Sequence, residues 1–222
     1  MRMWVLGVFV ASLAWLAYVG PGNSQIVEVS PPDEPAPELL YGFDEVQPRS
    51  HVNRNIRQSF LSYYQYLAIS YCFARHNVTL PGFEGLFRSY SEMELQNAEK
   101  LMGYMVKRGM TFDFHSINVH SDRFIQCYER DDTGETAWSY VTKVTAHVLK
   151  NQKDLLNKYK KTHFSATSHN FPHLKAFIED EFMEQKYQKI KEIADTQTRL
   201  ERIRTNNHSE LGLYLFDRSL LS

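Results

Sequence analysis

The sequence is poor in net charge, in cysteine and, over most of its length, in helix breakers. Its 25 Lys and Arg residues nearly balance 26 Asp and Glu, leaving a formal charge of −1 over 222 residues. Nucleic-acid binders need a Lys/Arg excess gathered against phosphates, so the balance argues against that class. Two cysteines, Cys72 and Cys127, are too few for a disulfide-stapled scaffold, and no C-x-x-C pair is present to hold zinc or run thiol exchange. The one long uncharged apolar run, Trp4 to Val19, falls short of the roughly 20 residues that span a bilayer, and no basic stop-transfer cluster follows it. The fold has to stand on the packing of one sizeable core.

That apolar run has a different meaning. Met1-Arg2-Met3 gives a short positive start, and Gly20-Pro21-Gly22-Asn23-Ser24 supplies small, turn-forming residues after the run. The pattern predicts a secretory signal peptide over residues 1–24, cleaved between Gly20 and Gln25. A secreted or secretory-pathway protein matures in an oxidising compartment, where Cys72 and Cys127 are candidates for a disulfide, within one chain or between chains. Two N-x-S/T sequons, at Asn77 and Asn207, are candidate glycosylation sites on the same route. Pro31, Pro32, Pro35 and Pro37 crowd an acidic stretch, so residues 25–48 read as an extended N-terminal arm.

From Arg49 onward only Pro81 and Pro172 remain of the eight prolines, each placed where a helix would begin. Apolar residues then recur at three- and four-residue steps. Ile56, Phe60, Tyr63, Leu67, Tyr71 and Ala74 form a first stripe, and Phe83, Phe87, Tyr90, Met93, Leu101 and Met105 a second. Val141, Val144, Val148, Leu155 and Tyr159 form a third; Leu174, Ile178, Phe182, Ile193 and Leu200 a fourth. A short fifth helix, Leu211 to Leu220, closes the chain. The expectation is an all-α domain over residues 49–222, a four-helix bundle whose long link Met110–Thr133 crosses over between helices 2 and 3 and makes them parallel.

Bundle interiors of this kind can hold two metal ions between Glu residues and Glu-x-x-His motifs, because carboxylates supply hard anionic donors and His at i+3 shares their face. The chain has no Glu-x-x-His; the nearest form is Glu94-Leu95-Gln96-Asn97, with an amide in the imidazole position. The third helix has no carboxylate between Glu135 and Asp154. His163, His169 and His173 gather near the third-to-fourth turn at spacings that match no metal motif.

Asn97-Ala98-Glu99-Lys100-Leu101-Met102, Pro172-His173-Leu174-Lys175-Ala176-Phe177-Ile178-Glu179 and Tyr214-Leu215-Phe216-Asp217-Arg218-Ser219-Leu220 resemble, in order and spacing, the ferritin family. Tyr63-Tyr64-Gln65-Tyr66-Leu67 and Pro81-Gly82-Phe83 are similar to the secreted subunits of insect ferritins. The likeness runs from about Val52 to Leu220. It implies a shell of two dozen subunits that takes up Fe²⁺ and keeps Fe³⁺ as stored cargo. Carried over residue by residue, the family's oxidation centre retains Glu94 and the nearby Tyr66 as residual metal-site residues. Its other positions fall on Ser59, Asn97 and Lys186, and on a third-helix position in the window Thr145–Val148.

The resemblance therefore implies a light-type subunit with a degenerate ferroxidase centre, with no catalytic residues of its own, assembled beside a heavy-type catalytic partner. Glu94 is expected either to keep a metal or to pair with Lys186. Of the family's mineral-nucleating glutamates only Glu92 matches, beside Ser89, Met93 and Gln96. Glu179, Asp180 and Glu181 are the candidate iron-channel acids, since a ring of carboxylates concentrates cations. Two other readings stand beside this one: a ferroxidase with a site rebuilt from Glu94, Tyr66 and substitutes such as His147, and a secreted helical bundle that no longer handles iron.

Overall fold

The computed structural model describes residues 46–113, 116–117, 127, 136–204 and 209–221. The expected signal peptide, nearly all of the arm, and Asn207 lie outside the described residues. Helix α1 is Val46–Ala74, α2 Pro81–Lys107, α3 Ala137–Ser168, α4 Pro172–Ile178, α5 Glu184–Arg204 and α6 Ser209–Ser219. Residues Glu179–Met183 wind as a π-helix that joins α4 to α5 in one long rod. No strand occurs among the described residues, and none of the described helices is long and apolar enough to cross a membrane.

The helix ends follow from local chemistry. Pro81 and Pro172 open α2 and α4, where a missing N–H costs nothing. Thr136 caps α3, its hydroxyl accepting from the Ser139 amide at 3.2 Å. Gly109 (φ 71°) and Asn170 (φ 58°) turn left-handed after α2 and α3. The amides of Met110 and Phe171 then close back on the carbonyls of Met105 and Ala166 at 3.0 and 2.8 Å. At the other end, α1 starts earlier than the arm boundary suggested and takes in Pro48, because proline is tolerated in a first helical turn.

Side-chain pairs fix the topology. Tyr63 meets Ser91, and Phe73 stacks on Phe83 and Phe87 at 5.5 and 5.4 Å, so α2 runs antiparallel to α1. Asn55 meets Thr162 and Tyr66 meets Gln152, so α3 is also antiparallel to α1 and hence parallel to α2. Tyr104 stacks on Phe177 at 4.4 Å while Lys186 reaches Glu94, which sets the fourth rod antiparallel to α2. The end of α2 and the start of α3 therefore lie at opposite ends of the bundle, whereas 75–80 and 169–171 are tight links. Cys72 and Cys127 are joined within the chain, their Cα atoms 4.9 Å apart, which ties the crossover to the end of α1.

The interior has three layers. One apolar cluster gathers Tyr66, Phe73, Phe83, Phe87, Val141 and Val148 with Ile193, and a second gathers Val52, Ile56, Leu101, Tyr159, Ile178 and Phe182. Between them lie buried Ser59, Glu94, Asn97, Gln152 and Lys186. The buried line of α1 is Val52, Ile56, Ser59, Tyr66, Ile69 and Phe73, so the first stripe expected from sequence is only partly internal. Tyr71 is 57% exposed and Tyr64 48%: α1 carries a second apolar face that the bundle leaves uncovered. In the fourth rod, the π-turn sets Ile178, Phe182 and Lys186 inward at four-residue steps.

Helix α6 is locked to the start of α2. Asp217, buried at 1% exposure, accepts from the Phe83 amide at 2.9 Å, supplying the cap that α2 lacks locally. Burial nevertheless raises the Asp217 carboxyl above its ordinary pKa, against the backbone amides of Phe83 and Gly82 that favour the ionised form. A Cβ on Gly82 would stand 2.0 Å from the Asp217 carbonyl oxygen, so only glycine permits this approach. Phe216 adds a ring contact to Phe83 at 5.8 Å.

Candidate metal centre

The polar layer converges on Glu94, which has no exposed surface. Its position on α2 follows from the inward line Tyr90, Glu94, Asn97 and Leu101, so the carboxylate is carried into the core by the same periodicity that buries its neighbours. Four helices then meet it. Lys186 of α5, itself fully buried, places its ammonium on Glu94 Oε1. Gln152 of α3 donates from Nε2 to the same oxygen at 3.1 Å and to the Tyr66 hydroxyl of α1 at 3.0 Å. Asn97 donates from Nδ2 to Glu94 Oε2 at 3.4 Å and to Gln185 Oε1 at 2.9 Å. Ser59, about two turns before Tyr66 on α1, is in contact with the Tyr159 hydroxyl at 3.3 Å.

The electrostatics match a closed, water-poor layer. Burial pulls the Lys186 ammonium below its ordinary pKa, and the contact with Glu94 opposes that shift. Burial first, then the Glu94 charge, hold the Tyr66 phenol well above its ordinary value. A phenol so placed stays neutral and serves as a hydrogen-bond partner. One anion and one cation neutralise each other, and breaking such a pair would leave an uncompensated buried charge.

This donor set does not fit two divalent metal ions. It offers one carboxylate where several anionic oxygens are needed, and an ammonium already occupies the position facing that carboxylate. Asn97 Oδ1 and Gln152 Oε1 are buried without a partner, but neutral amide oxygens do not replace the missing charge. Among the described residues no three His, Cys, Asp or Glu gather as a metal group elsewhere.

Gln152 is the α3 residue at the centre, and the expected window Thr145–Val148 is corrected by it. Thr145 turns its hydroxyl to the Thr142 carbonyl at 3.0 Å, and Val148 packs in the first apolar cluster. His147 lies in that same window, half-buried. No acid marks the register of α3; the residue that reaches Glu94 is Gln152, an amide on the inward line Val148, Gln152, Leu155 and Tyr159.

The remaining predicted residues sit apart from this centre. Glu92 is exposed on α2 with Ser89 and Gln96, whereas Met93 is buried at 9% exposure. Glu179, Asp180 and Glu181 lie on the π-turn; Glu179 meets His163 and Glu181 meets Lys100, each at 2.6 Å. The three histidines near the turn separate: His163 on Glu179, His169 against the Ser165 carbonyl at 2.8 Å, His173 stacked on Tyr104 at 5.6 Å. Asn77 is exposed in the link between α1 and α2, where the Thr79 hydroxyl of its sequon donates to the His76 carbonyl at 3.0 Å.

Comparison with known proteins places this geometry in context. Residues 49–203 match the Ferritin-like domain family. The chain is 34% identical over 173 residues to a soma ferritin of Lymnaea stagnalis, covering 77% of this chain and 88% of that protein. It is 30% identical over 170 residues to a ferritin light chain, oocyte isoform, of Xenopus laevis, again with 77% and 88% coverage. A ferritin lower subunit of Aquarana catesbeiana is 29% identical over 170 residues, with 77% and 90% coverage. With a matched domain that spans nearly the whole described bundle, and relatives aligned over most of their own length, the chain belongs to the ferritin family.

Proposed function

We propose that this chain is a light-type subunit of an iron-storage shell, made on the secretory route, that builds wall and leaves iron oxidation to a heavy-type catalytic partner. The observation that carries this reading is the Lys186 ammonium seated on Glu94, a cation in the layer where an oxidation centre needs anionic oxygens. The shell role is supported by apolar side chains that the bundle leaves uncovered. Tyr64 and Tyr71 on α1, and Leu211, Tyr214 and Leu215 on α6, are each about half exposed, a pattern suited to contacts with sibling subunits. Stored Fe³⁺ is cargo in this reading, and Asp180, beside Glu179 and Glu181, is the channel acid with most freedom to attract incoming Fe²⁺. Glu92 is the residual nucleating acid and Asn77 the glycan carrier.

Aerobic addition of Fe²⁺ to the purified protein, with initial oxygen consumption measured against buffer, tests the reading. The expected rate equals the buffer rate and rises when a catalytic ferritin subunit is co-assembled. Rapid uptake by this chain alone that disappears in Glu94→Ala would overturn it.

A further inference from the structure

A second concentration of cations lies at the opposite extreme of solvent access. Between the first turns of α1 and the C-terminal half of α3 is an open pocket of about 640 Å³, within the range that takes small molecules. Its walls include His51 on one side and Lys160, Lys161, Phe164, Ser165 and His169 on the other, and among the described residues no carboxylate lines it. Lys161 has no ion-pair partner among the described residues. Burial and then the charges of Arg54, Lys161 and His169 push the His51 imidazole below its ordinary pKa.

Two further features distinguish this place from ordinary surface lysines. Ser165, one of the residues that line the pocket, is 6% exposed, and its buried hydroxyl has no hydrogen-bond partner. A buried hydroxyl without a partner is an unmet donor and acceptor, which a ligand oxygen would satisfy. The His169 ring is held by its Nδ1, which donates to the Ser165 carbonyl at 2.8 Å, so the imidazole is oriented before any ligand arrives. At the rim Phe164 is 73% exposed, a large aromatic surface with no protein cover.

We propose that this pocket binds a phosphate monoester, its dianionic oxyanion between Lys161, His51 and His169 and its apolar body against Phe164. A dianion accepts from the Lys161 ammonium and the Ser165 hydroxyl and favours protonation of the two imidazoles, and charge-assisted bonds of this kind are the strong ones. The aromatic rim distinguishes an ester from free phosphate, because only the ester carries surface for Phe164 to cover.

Calorimetric titration of the full-length protein in its native assembly, at neutral pH, uses phenyl phosphate, inorganic phosphate and phenol as probes. Phenyl phosphate is expected to bind about tenfold more tightly than inorganic phosphate, and phenol not at all. Lys161→Glu is expected to weaken both anions by about tenfold or more. Phe164→Ser is expected to remove the advantage of the ester and leave inorganic phosphate unchanged. His169→Gln, which keeps a polar side chain, gives a second reading should Lys161→Glu fold poorly, and it too is expected to weaken both anions. Absence of heat with either anion, equal affinity for the two anions, phenol binding as tightly as its phosphate, or undiminished affinity in both charge variants would overturn the proposal.

Discussion

The polar layer around Lys186 and the pocket around Lys161 solve the same problem, a cation beside apolar neighbours, in opposite ways. Lys186 is shut off from solvent, so its charge is met by Glu94, and Tyr66, Asn97, Gln152 and Gln185 join a network drawn from four helices. Lys161 has no acid beside it among the described residues that line the pocket, and solvent screens its repulsion of neighbouring cations at the open mouth. The first arrangement consumes its own charge and leaves only two neutral amide oxygens, on Asn97 and Gln152, unpaired. The second leaves its charge uncommitted, and that is the condition for recognising an anion.

The contrast can be broken from the inside. Glu94→Ala leaves the Lys186 ammonium buried and unpaired, and a loss of about 3–5 kcal/mol in unfolding free energy is expected by denaturant titration. The double variant Glu94→Gln, Lys186→Met removes both charges and should recover most of that loss; full additivity of the two single effects would show that the pair is not coupled. The outer region responds in the other direction. Asn157→Glu places an acid in the pocket wall and should raise stability by about 0.2–1 kcal/mol while abolishing phenyl phosphate binding.

The smallest effect is a pH dependence. The folded-state pKa of His51 lies below its ordinary 6.5, under the combined action of burial, Arg54, Lys161 and His169. Above 6.5 the imidazole is neutral in both states and contributes nothing; as pH falls through that value the unfolded chain takes up the proton first, and stability declines until the folded group protonates too. A melting temperature that drops between pH 7 and pH 5.5 less steeply in His51→Gln than in the parent is expected. Saturating phenyl phosphate, which favours the protonated ring, should flatten the parent's profile in the same way.

Much of the bundle was legible in the sequence because proline and spacing carry it. Pro81 and Pro172 mark helix starts by chemistry that does not depend on the rest of the fold, and the long breaker-free stretches allowed few architectures. The partnership of Glu94 with Lys186 was likewise accessible, since a buried carboxylate without metal ligands around it demands a cation. Other features were hidden for physical reasons. The apolar stripe read on α1 mixed two faces, because periodicity records that Tyr71 is apolar and not whether its neighbour belongs to the same chain. Gln152 escaped notice because an amide on a core line carries no charge signal, and the wider turn at Glu179–Met183 depends on how the rod packs, which no local propensity reports. The pocket was out of reach altogether: His51 and Lys161 are distant in sequence and become neighbours only when α1 and α3 lie side by side.

The attachment of α6 to α2 has a consequence for how the molecule is made. The acceptor that caps the α2 amides belongs to Asp217, 134 positions beyond Phe83, and the glycine that admits it is at the start of the same helix. During synthesis α2 emerges long before its cap exists, and its first turn has to wait with open donors until Asp217 has left the ribosome. Helix α6 thus completes α2, and a chain truncated just before it is expected to keep its bundle helices while the start of α2 frays.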